Sequence, residues 1–298
     1  VETRSTVANL LVSLRPDQWT KNLIVFAALI FAVRLFDPAA LALATAAFLI
    51  FCALSGAVYL INDVSDREAD RQHPLKRMRP IASGALAPST ALIWAAVLST
   101  AGLAAAFALR LSFGIAAASY VALVIVYSRA LKHVVIIDVM AIAIGFVLRA
   151  VAGGLVIGVP ISDWLLVCTI LGALFLGLAK RRHELTLLTD GATGHRRILE
   201  EYDPYLLDQM IAVVAASTLV AYIIYCASPE TAEKFGTQWL VLTTPFPIYG
   251  IFRYLYLVHR KHGGGSPSDV LLRDRPLLGC VALWGLAVVL IIYRPYAS

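Results

Sequence analysis

The chain has 298 residues, of which 60% are hydrophobic and only 15% charged, and its mean hydropathy is +0.79. Soluble domains average about 25% charged residues, so the composition excludes an ordinary soluble protein and indicates a chain dissolved in lipid. The formal net charge of +6 suits anionic lipid headgroups or phosphorylated substrates, and the sequence offers no support for a nucleic-acid partner.

Nine apolar segments predict an all-α, polytopic bundle of nine transmembrane helices. Several of them reach the ~20 residues that span a bilayer. Seven segments contain no Asp, Glu, Lys or Arg: 38–62, 80–109, 111–128, 164–179, 209–229, 235–252 and 276–293. The other two carry charges, because 22–36 contains Arg34 and 134–158 contains Asp138 and Arg149.

The distribution of basic residues predicts the orientation. Nineteen of the 25 Lys and Arg lie in the N-terminal segment and in alternate loops. The opposite side holds four: Arg34, Arg110, Lys234 and Arg294. Because Lys and Arg concentrate in cytoplasmic loops, we predict a cytoplasmic N-terminus. We therefore expect a multi-pass plasma-membrane protein whose site faces the cytoplasm.

The most informative motif is the acidic cluster N-D-V-S-D-R-E-A-D at 62–70. In a helix, Asp63, Asp66 and Asp70 share one face, with Asn62 beside them. Three carboxylates on one face repel one another, so a cation should offset them. Mg²⁺ suits such oxygens, since it takes one or two carboxylates plus substrate phosphates. We predict these four residues as metal ligands and the three aspartates as catalytic; the alternative is a solvated loop of mixed charges.

Cationic and polar residues elsewhere are candidate phosphate ligands. Y-S-R-A-L-K at 127–132 and K-R-R-H-E-L at 180–185 each place cations at the predicted inner end of a span. The alternative for the first motif is a positive-inside anchor, and in the second Lys180 and Glu184 could simply pair. The predicted substrate-binding residues are Lys21, Asn22, Asn62, Lys76, Arg77, Arg79, Tyr127, Lys132, Arg181, Arg182 and Glu184.

Asp138 and Arg149 interrupt one apolar span. Intramembrane charges are costly and usually face a bundle interior or a cavity. Asp138 is near enough to the cytoplasmic end to orient Lys132 or an arginine, whereas for Arg149 a packing or subunit contact is as good a reading as a functional role. A transporter would use this pair as its intramembrane site, although the polar clusters lie on one side of the membrane.

The chain resembles the UbiA superfamily of intramembrane prenyltransferases over essentially its whole length, as a single domain, 1–298. The resemblance rests on nine helices, N-D-x-x-D-x-x-x-D at 62–70 and Y-x-x-x-L-K at 127–132. Within the superfamily, R-P-D-Q-W-T-K-N at 15–22 and R-P-I-A-S-G at 79–84 look like the branch, known from mycobacteria and their relatives, that makes the lipid-linked sugar precursor of cell-wall arabinan.

The resemblance implies a reaction and its partners. The donor is phosphoribosyl diphosphate, the acceptor is a polyprenyl (decaprenyl) phosphate, the cofactor is Mg²⁺ and the released product is diphosphate. The acceptor phosphate is already anionic, so no general base is required. The resemblance does not determine the polyprenyl length, the number of metal ions or whether the protein forms a homo-oligomer.

One departure distinguishes the branches of this superfamily. Members that transfer a prenyl group carry a second aspartate-rich motif after the sixth span, where this chain has Lys180, Arg181 and Arg182, with Glu184 retained. This favours a site for two phosphorylated substrates with more fixed cations, although acids between Glu200 and Asp208 could still contribute. The alternative function is an aromatic prenyltransferase that uses a prenyl diphosphate.

Overall fold

The computed structural model describes residues 5–73, 76–189, 201–260 and 267–294. All regular secondary structure in these ranges is helical. The α-helices are α1 (Thr6–Ser13), α2 (Ala27–Phe31), α3 (Pro38–Ser65), α4 (Arg67–Gln72), α5 (Pro88–Leu109), α6 (Leu111–Arg129), α7 (Ile137–Ile157), α8 (Asp163–Thr189), α9 (Pro204–Ala227), α10 (Pro229–Phe235), α11 (Pro245–Arg260), α12 (Pro267–Arg273) and α13 (Arg275–Tyr293). Seven helices in these ranges are long and apolar enough to cross a membrane: α3, α5, α6, α7, α8, α9 and α13.

Two of the nine predicted spans form broken helices. Segment 22–36 is divided between a 3₁₀ segment, Pro16–Phe26, and the five-residue helix α2. Segment 235–252 is divided between a second 3₁₀ segment, Trp239–Thr243, and α11, which begins at a proline as helices often do. An all-α membrane bundle is therefore what the described residues form, while the count of nine spans remains a prediction.

Helices α3 and α7 are the most buried of the seven spans and form the centre of the bundle. Small residues let other segments approach α7 closely. A Cβ added to Gly153 would lie only 2.1 Å from the carbonyl oxygen of Val25, so the backbone of the first 3₁₀ segment rests directly on α7. This contact holds the neighbouring Lys21 and Asn22 close to the middle of the bundle.

The acidic motif lies where α3 ends, and the expected continuous helical face is interrupted there. α3 finishes at Ser65, the chain turns at Asp66, and α4 begins at Arg67. The Asp66 backbone N–H donates to the Asn62 carbonyl at 2.8 Å and closes the last turn of α3. As a result Asp63 and Asp70 are buried, whereas Asp66 is exposed.

Candidate active site

A cavity of about 440 Å³ lies at the end of the bundle where α3 and α6 finish. Seven of the predicted site residues line it: Lys21, Asn62, Asp63, Asp66, Lys76, Arg79 and Tyr127. Three further basic residues line the same cavity: Arg15, Arg149 and Lys180. Six basic side chains therefore face two carboxylates among the described lining residues, and this balance favours an anionic ligand.

Arginines supply the positive charge that offsets the acidic motif. Arg15 donates to Oδ1 of Asp63. Nη1 of Arg79 donates both to Oδ1 of Asp63 at 3.1 Å and to Oδ2 of Asp70 at 2.6 Å. From the sequence we expected a metal to provide this neutralisation and Arg79 to bind a phosphate. Asp66 is exposed and forms no ion pair within the described part of the chain.

The residues present fit a magnesium ion that the chain and a substrate bind together. Among the described residues, no three His, Cys, Asp or Glu side chains are grouped so that they could hold a metal ion alone. The carboxylates of Asp63 and Asp66 and the amide of Asn62 nevertheless line one wall of the cavity. Mg²⁺ commonly takes one or two carboxylates and completes its shell with water and substrate phosphates. Asp70, the fourth predicted ligand, does not line the cavity.

Arg149 lies within α7 and is only 7% exposed. Its Nε donates to Oδ1 of Asn22 at 2.8 Å, its Nη1 to the Gly145 carbonyl at 3.0 Å, and its Nη2 to the Tyr120 hydroxyl at 2.6 Å. The guanidinium also lies over the Tyr120 ring, 4.3 Å from the ring centre. Asn22, predicted to bind substrate, is itself buried and does not line the cavity; its amide orients Arg149.

Lys21 lies in the first 3₁₀ segment, just before the predicted span 22–36, and is half-buried. Burial, reinforced by the nearby charges of Lys180 and Arg149, lowers the pKa of Lys21 to about 7. A lysine whose pKa is lowered by burial and by nearby cations is stabilised in its charged form by a bound anion. This wall of the cavity is therefore suited to an anionic group.

Arg181, predicted to bind substrate, is 1% exposed and does not line the cavity. Its Nε donates to Oδ2 of Asp138 at 2.6 Å, its Nη1 to Glu184, and its Nη2 to the Tyr127 hydroxyl at 3.2 Å. The Tyr202 hydroxyl donates to the other Asp138 oxygen at 2.8 Å. Asp138 thus orients an arginine, as the sequence suggested, and the network links α7 to α8.

Four other predicted substrate ligands also lie outside the cavity lining, and one of them is Glu184, which pairs with Arg181. Arg182 donates from Nε to Oδ1 of Asp208 at 2.9 Å. Arg77 is exposed, and Lys132 is half-buried in a short 3₁₀ turn after α6. The structure therefore separates the basic residues into a group that lines the cavity and a group that supports or surrounds it.

The model of the UbiA prenyltransferase family matches residues 22–268. The chain belongs to this family. This UbiA protein is 35% identical to a decaprenyl-phosphate phosphoribosyltransferase of Mycolicibacterium smegmatis, over 94% of this chain and 91% of the relative. It is 33% identical to a decaprenyl-phosphate phosphoribosyltransferase of Corynebacterium glutamicum, over 94% of this chain and 86% of the relative.

Solved structures of UbiA proteins share the fold. A UbiA homolog from Archaeoglobus fulgidus, bound to DMAPP and Mg²⁺, superposes with a TM-score of 0.70 at 20% identity. The superposition covers 94% of this chain and 99% of that one. The chain is thus an integral membrane protein with the UbiA architecture.

Three residues that line the cavity of this UbiA protein were not predicted as site residues: Arg15, Arg149 and Lys180. Arg15 begins the R-P-D-Q-W-T-K-N segment, and its membership of a segment that carries the family resemblance was the available signal. The signal for Arg149 was its charge inside an apolar span. That signal did not distinguish a packing or subunit contact from a functional role. For Lys180, pairing with Glu184 was the alternative reading; the two lie 3.8 Å apart, and Lys180 also lines the cavity.

Proposed function

We propose that this protein transfers 5-phosphoribose from phosphoribosyl diphosphate to a polyprenyl phosphate and releases diphosphate. The observation that carries the proposal is the charge of the cavity, where six basic side chains accompany only two carboxylates among the described lining residues. Two phosphorylated substrates meeting in one cavity require this excess of cations. The names and coverage of the mycobacterial and corynebacterial relatives support the same reaction.

The replacement of the second acidic motif also supports this donor. A prenyl-transferring UbiA protein is expected to carry acids where this chain has Lys180, Arg181 and Arg182. Arg181 forms ion pairs with Asp138 and Glu184, so the charges of these two acids are already neutralised within the protein. Fixed cations therefore supply much of the charge compensation at this end of the bundle.

The wall formed by Asn62, Asp63 and Asp66 would hold Mg²⁺ against the diphosphate of the donor. When bound, the ion stabilises the negative charge that develops on the leaving diphosphate. Lys76 and Arg79, which line the same side of the cavity, would bind phosphate oxygens of the donor directly. Their role is to hold ribose C1 in position for attack.

In the transfer itself, an oxygen of the lipid phosphate forms the new bond to ribose C1. The bond from C1 to the diphosphate oxygen breaks, and its electron pair leaves with diphosphate. The attacking phosphate is already anionic, so no side chain needs to remove a proton. The protein contributes by bringing two anions together and by screening their repulsion.

We also propose that the protein lies in the plasma membrane with its site open to the cytoplasm, because nineteen of the 25 Lys and Arg lie on the predicted inner side. A phosphorylated sugar donor is water-soluble and would reach the cavity from that side. The lipid acceptor would come from the bilayer, and the product would serve in cell-wall arabinan synthesis.

The experiment is to incubate the purified protein with each donor and acceptor pair and to identify the lipid product by mass spectrometry. Phosphoribosyl diphosphate and polyprenyl phosphate should yield a phosphoribosylated lipid and one diphosphate per product. Excess chelator should stop the reaction, and Mg²⁺ should restore it. Transfer of a prenyl group to an aromatic acid, with the sugar donor untouched, would overturn the proposal in favour of the alternative.

A further inference from the structure

Arg149 lines the cavity and retains unused hydrogen-bonding capacity. A guanidinium has five N–H donors. Asn22, Gly145 and Tyr120 accept three of them, and within the described part of the chain Arg149 forms no ion pair with an acid. One N–H on each terminal nitrogen is left over, and the residue lines the cavity. A nearly buried arginine in a membrane span is costly unless an anion compensates its charge.

Lys21 and Lys180 stand beside Arg149 and extend this positive surface. The charges of Lys180 and Arg149 act on Lys21 from close by. Lys180 is balanced in part by Glu184, while Lys21 forms no ion pair within the described ranges. Two ammonium groups and a planar guanidinium fork match the size and the double negative charge of a phosphate monoester.

An apolar chamber of about 380 Å³ adjoins these cations. Its lining includes Ile24, Phe31, Trp164, Leu165, Tyr225 and Trp284. The chamber shares Thr20, Lys21, Phe146, Ala173 and Leu176 with the polar cavity, so one lysine belongs to both spaces. At ~30 Å³ per water-sized group, the chamber holds about a dozen carbon-sized groups, equivalent to two or three isoprene units.

The two walls of the cavity therefore differ in what they can accept. Asn62, Asp63 and Asp66 line the wall with the acids, together with the exposed Lys76. Lys21 and Arg149 line the wall that continues into the chamber. A phosphate carrying an apolar chain is accommodated at the second wall, because its chain can leave water at once.

We propose that Lys21, Arg149 and Lys180 bind the phosphate of the lipid acceptor, and that the first isoprene units of its chain occupy the adjoining apolar chamber. This assignment rests on the proposed function and deepens it, since it gives the acceptor phosphate a set of ligands separate from the metal-binding wall. It also implies that the protein distinguishes polyprenyl phosphate from polyprenol and recognises only the beginning of the chain.

Binding of farnesyl phosphate and of farnesol to the purified protein, without a sugar donor, tests the assignment. Wild type should bind farnesyl phosphate at least tenfold more tightly than farnesol. Lys21→Gln, which breaks no described hydrogen bond, and Arg149→Lys, which keeps the charge but loses the fork, should each reduce this preference about tenfold. Arg129→Gln is the control, because it removes an exposed charge at the end of α6 near the cavity but outside its lining. It should leave the preference unchanged.

Steady-state kinetics then separate the two substrates. Lys21→Gln and Arg149→Lys should raise KM for the polyprenyl phosphate about tenfold while changing KM for phosphoribosyl diphosphate less than twofold. An increase confined to KM for phosphoribosyl diphosphate, or unchanged binding of farnesyl phosphate, would overturn the assignment. If wild type makes no phosphoribosylated lipid but still binds farnesyl phosphate through these residues, the proposed function fails and the phosphate site stands.

Discussion

Asp63 and Asp66 lie one helical turn apart but have different surroundings. Asp63 is 3% exposed and is held by Arg15 and Arg79, whereas Asp66 is exposed at the turn between α3 and α4. Asp63 therefore contributes to folding as well as to the cavity wall. Asp66 is free to serve a ligand, because its charge is not needed by another described side chain.

Asp66→Asn should lower kcat at least 100-fold without lowering the melting temperature. The substitution removes a carboxylate from the metal-binding wall and breaks no described ion pair. Activity and thermal unfolding in detergent provide the measurement. Glu68→Gln is the matched control, because Glu68 is an exposed acid in the same segment and pairs only with Arg71 among the described residues. Wild-type turnover in Asp66→Asn would remove Asp66 from the proposed site.

Asp63→Asn should lower both activity and stability. The change weakens the contacts of two arginines with a buried carboxylate, and hydrogen bonds to charged groups contribute about 2 kcal/mol to the free energy of unfolding. The melting temperature should therefore fall relative to Asp66→Asn. Equal melting temperatures for the two variants would show that the arginines do not stabilise Asp63.

At the scale of helices, α7 organises the site through contacts along its length. Near its beginning, Asp138 binds Arg181 of α8. Eleven residues later, Arg149 binds Asn22 of the first 3₁₀ segment, and Gly153 accepts the backbone of that segment. One central helix thus positions two separate parts of the chain around the cavity.

Arg181→Met should lower the free energy of unfolding by about 3–5 kcal/mol, because it leaves the buried Asp138 without its charge partner. Arg182→Gln should cost at most about 1 kcal/mol, since the Arg182–Asp208 pair is partly exposed. Thermal unfolding of both variants in detergent measures the difference. Adding Asp138→Leu to Arg181→Met should recover part of the loss. Similar melting temperatures for Arg181→Met and Arg182→Gln would contradict the structural role of Arg181.

Gly153→Ala should destabilise the protein by about 1–3 kcal/mol and lower kcat/KM, because the new Cβ must push the Val25 backbone away from α7. The displaced segment carries Lys21 and Asn22. Gly285→Ala in α13 is the control, since a Cβ there meets no atom within 4 Å. If the two alanine variants have equal stability and activity, the close approach at Gly153 is unimportant.

For the whole molecule, the charged cavity and the loops predicted to be external lie at opposite ends of the bundle. The cavity lies where α3 and α6 finish, and the predicted opposite side includes Lys234 at the end of α10. A water-soluble donor and a lipid acceptor can then reach one cavity by different routes, from the water and from the bilayer. The orientation of the bundle decides which compartment supplies the donor.

Cysteine labelling in whole cells tests this orientation. In a Cys168→Ser background, in which the three remaining native cysteines are buried, Lys234→Cys should react with an impermeant maleimide from outside. Arg129→Cys, which is exposed at the end of α6, should react only after permeabilisation. The background protein without an added cysteine is the control. The reverse labelling pattern would place the cavity on the outer side.

The sequence by itself determined the membrane class, seven continuous spans, the family and the acidic wall of the cavity. These features depend on the length of apolar runs and on residues a few positions apart, such as Asn62, Asp63 and Asp66. The two remaining spans were predicted from composition alone. Their breaks into 3₁₀ and α segments depend on packing, as the contact of Val25 with Gly153 illustrates.

Only the tertiary structure decided which charges meet. Arg15 reaches Asp63 across 48 residues of sequence, and Arg181 reaches Asp138 across 43. The sequence assigned the first of these neutralisations to a metal and placed Arg181 on a substrate, because spacing along one helix does not reveal which helix lies beside it. These long-range ion pairs depend on how the spans pack against one another. In the low-dielectric interior an ion pair is strong, so a cation that finds an acid there supports the fold, and a cation without one is left to face the cavity.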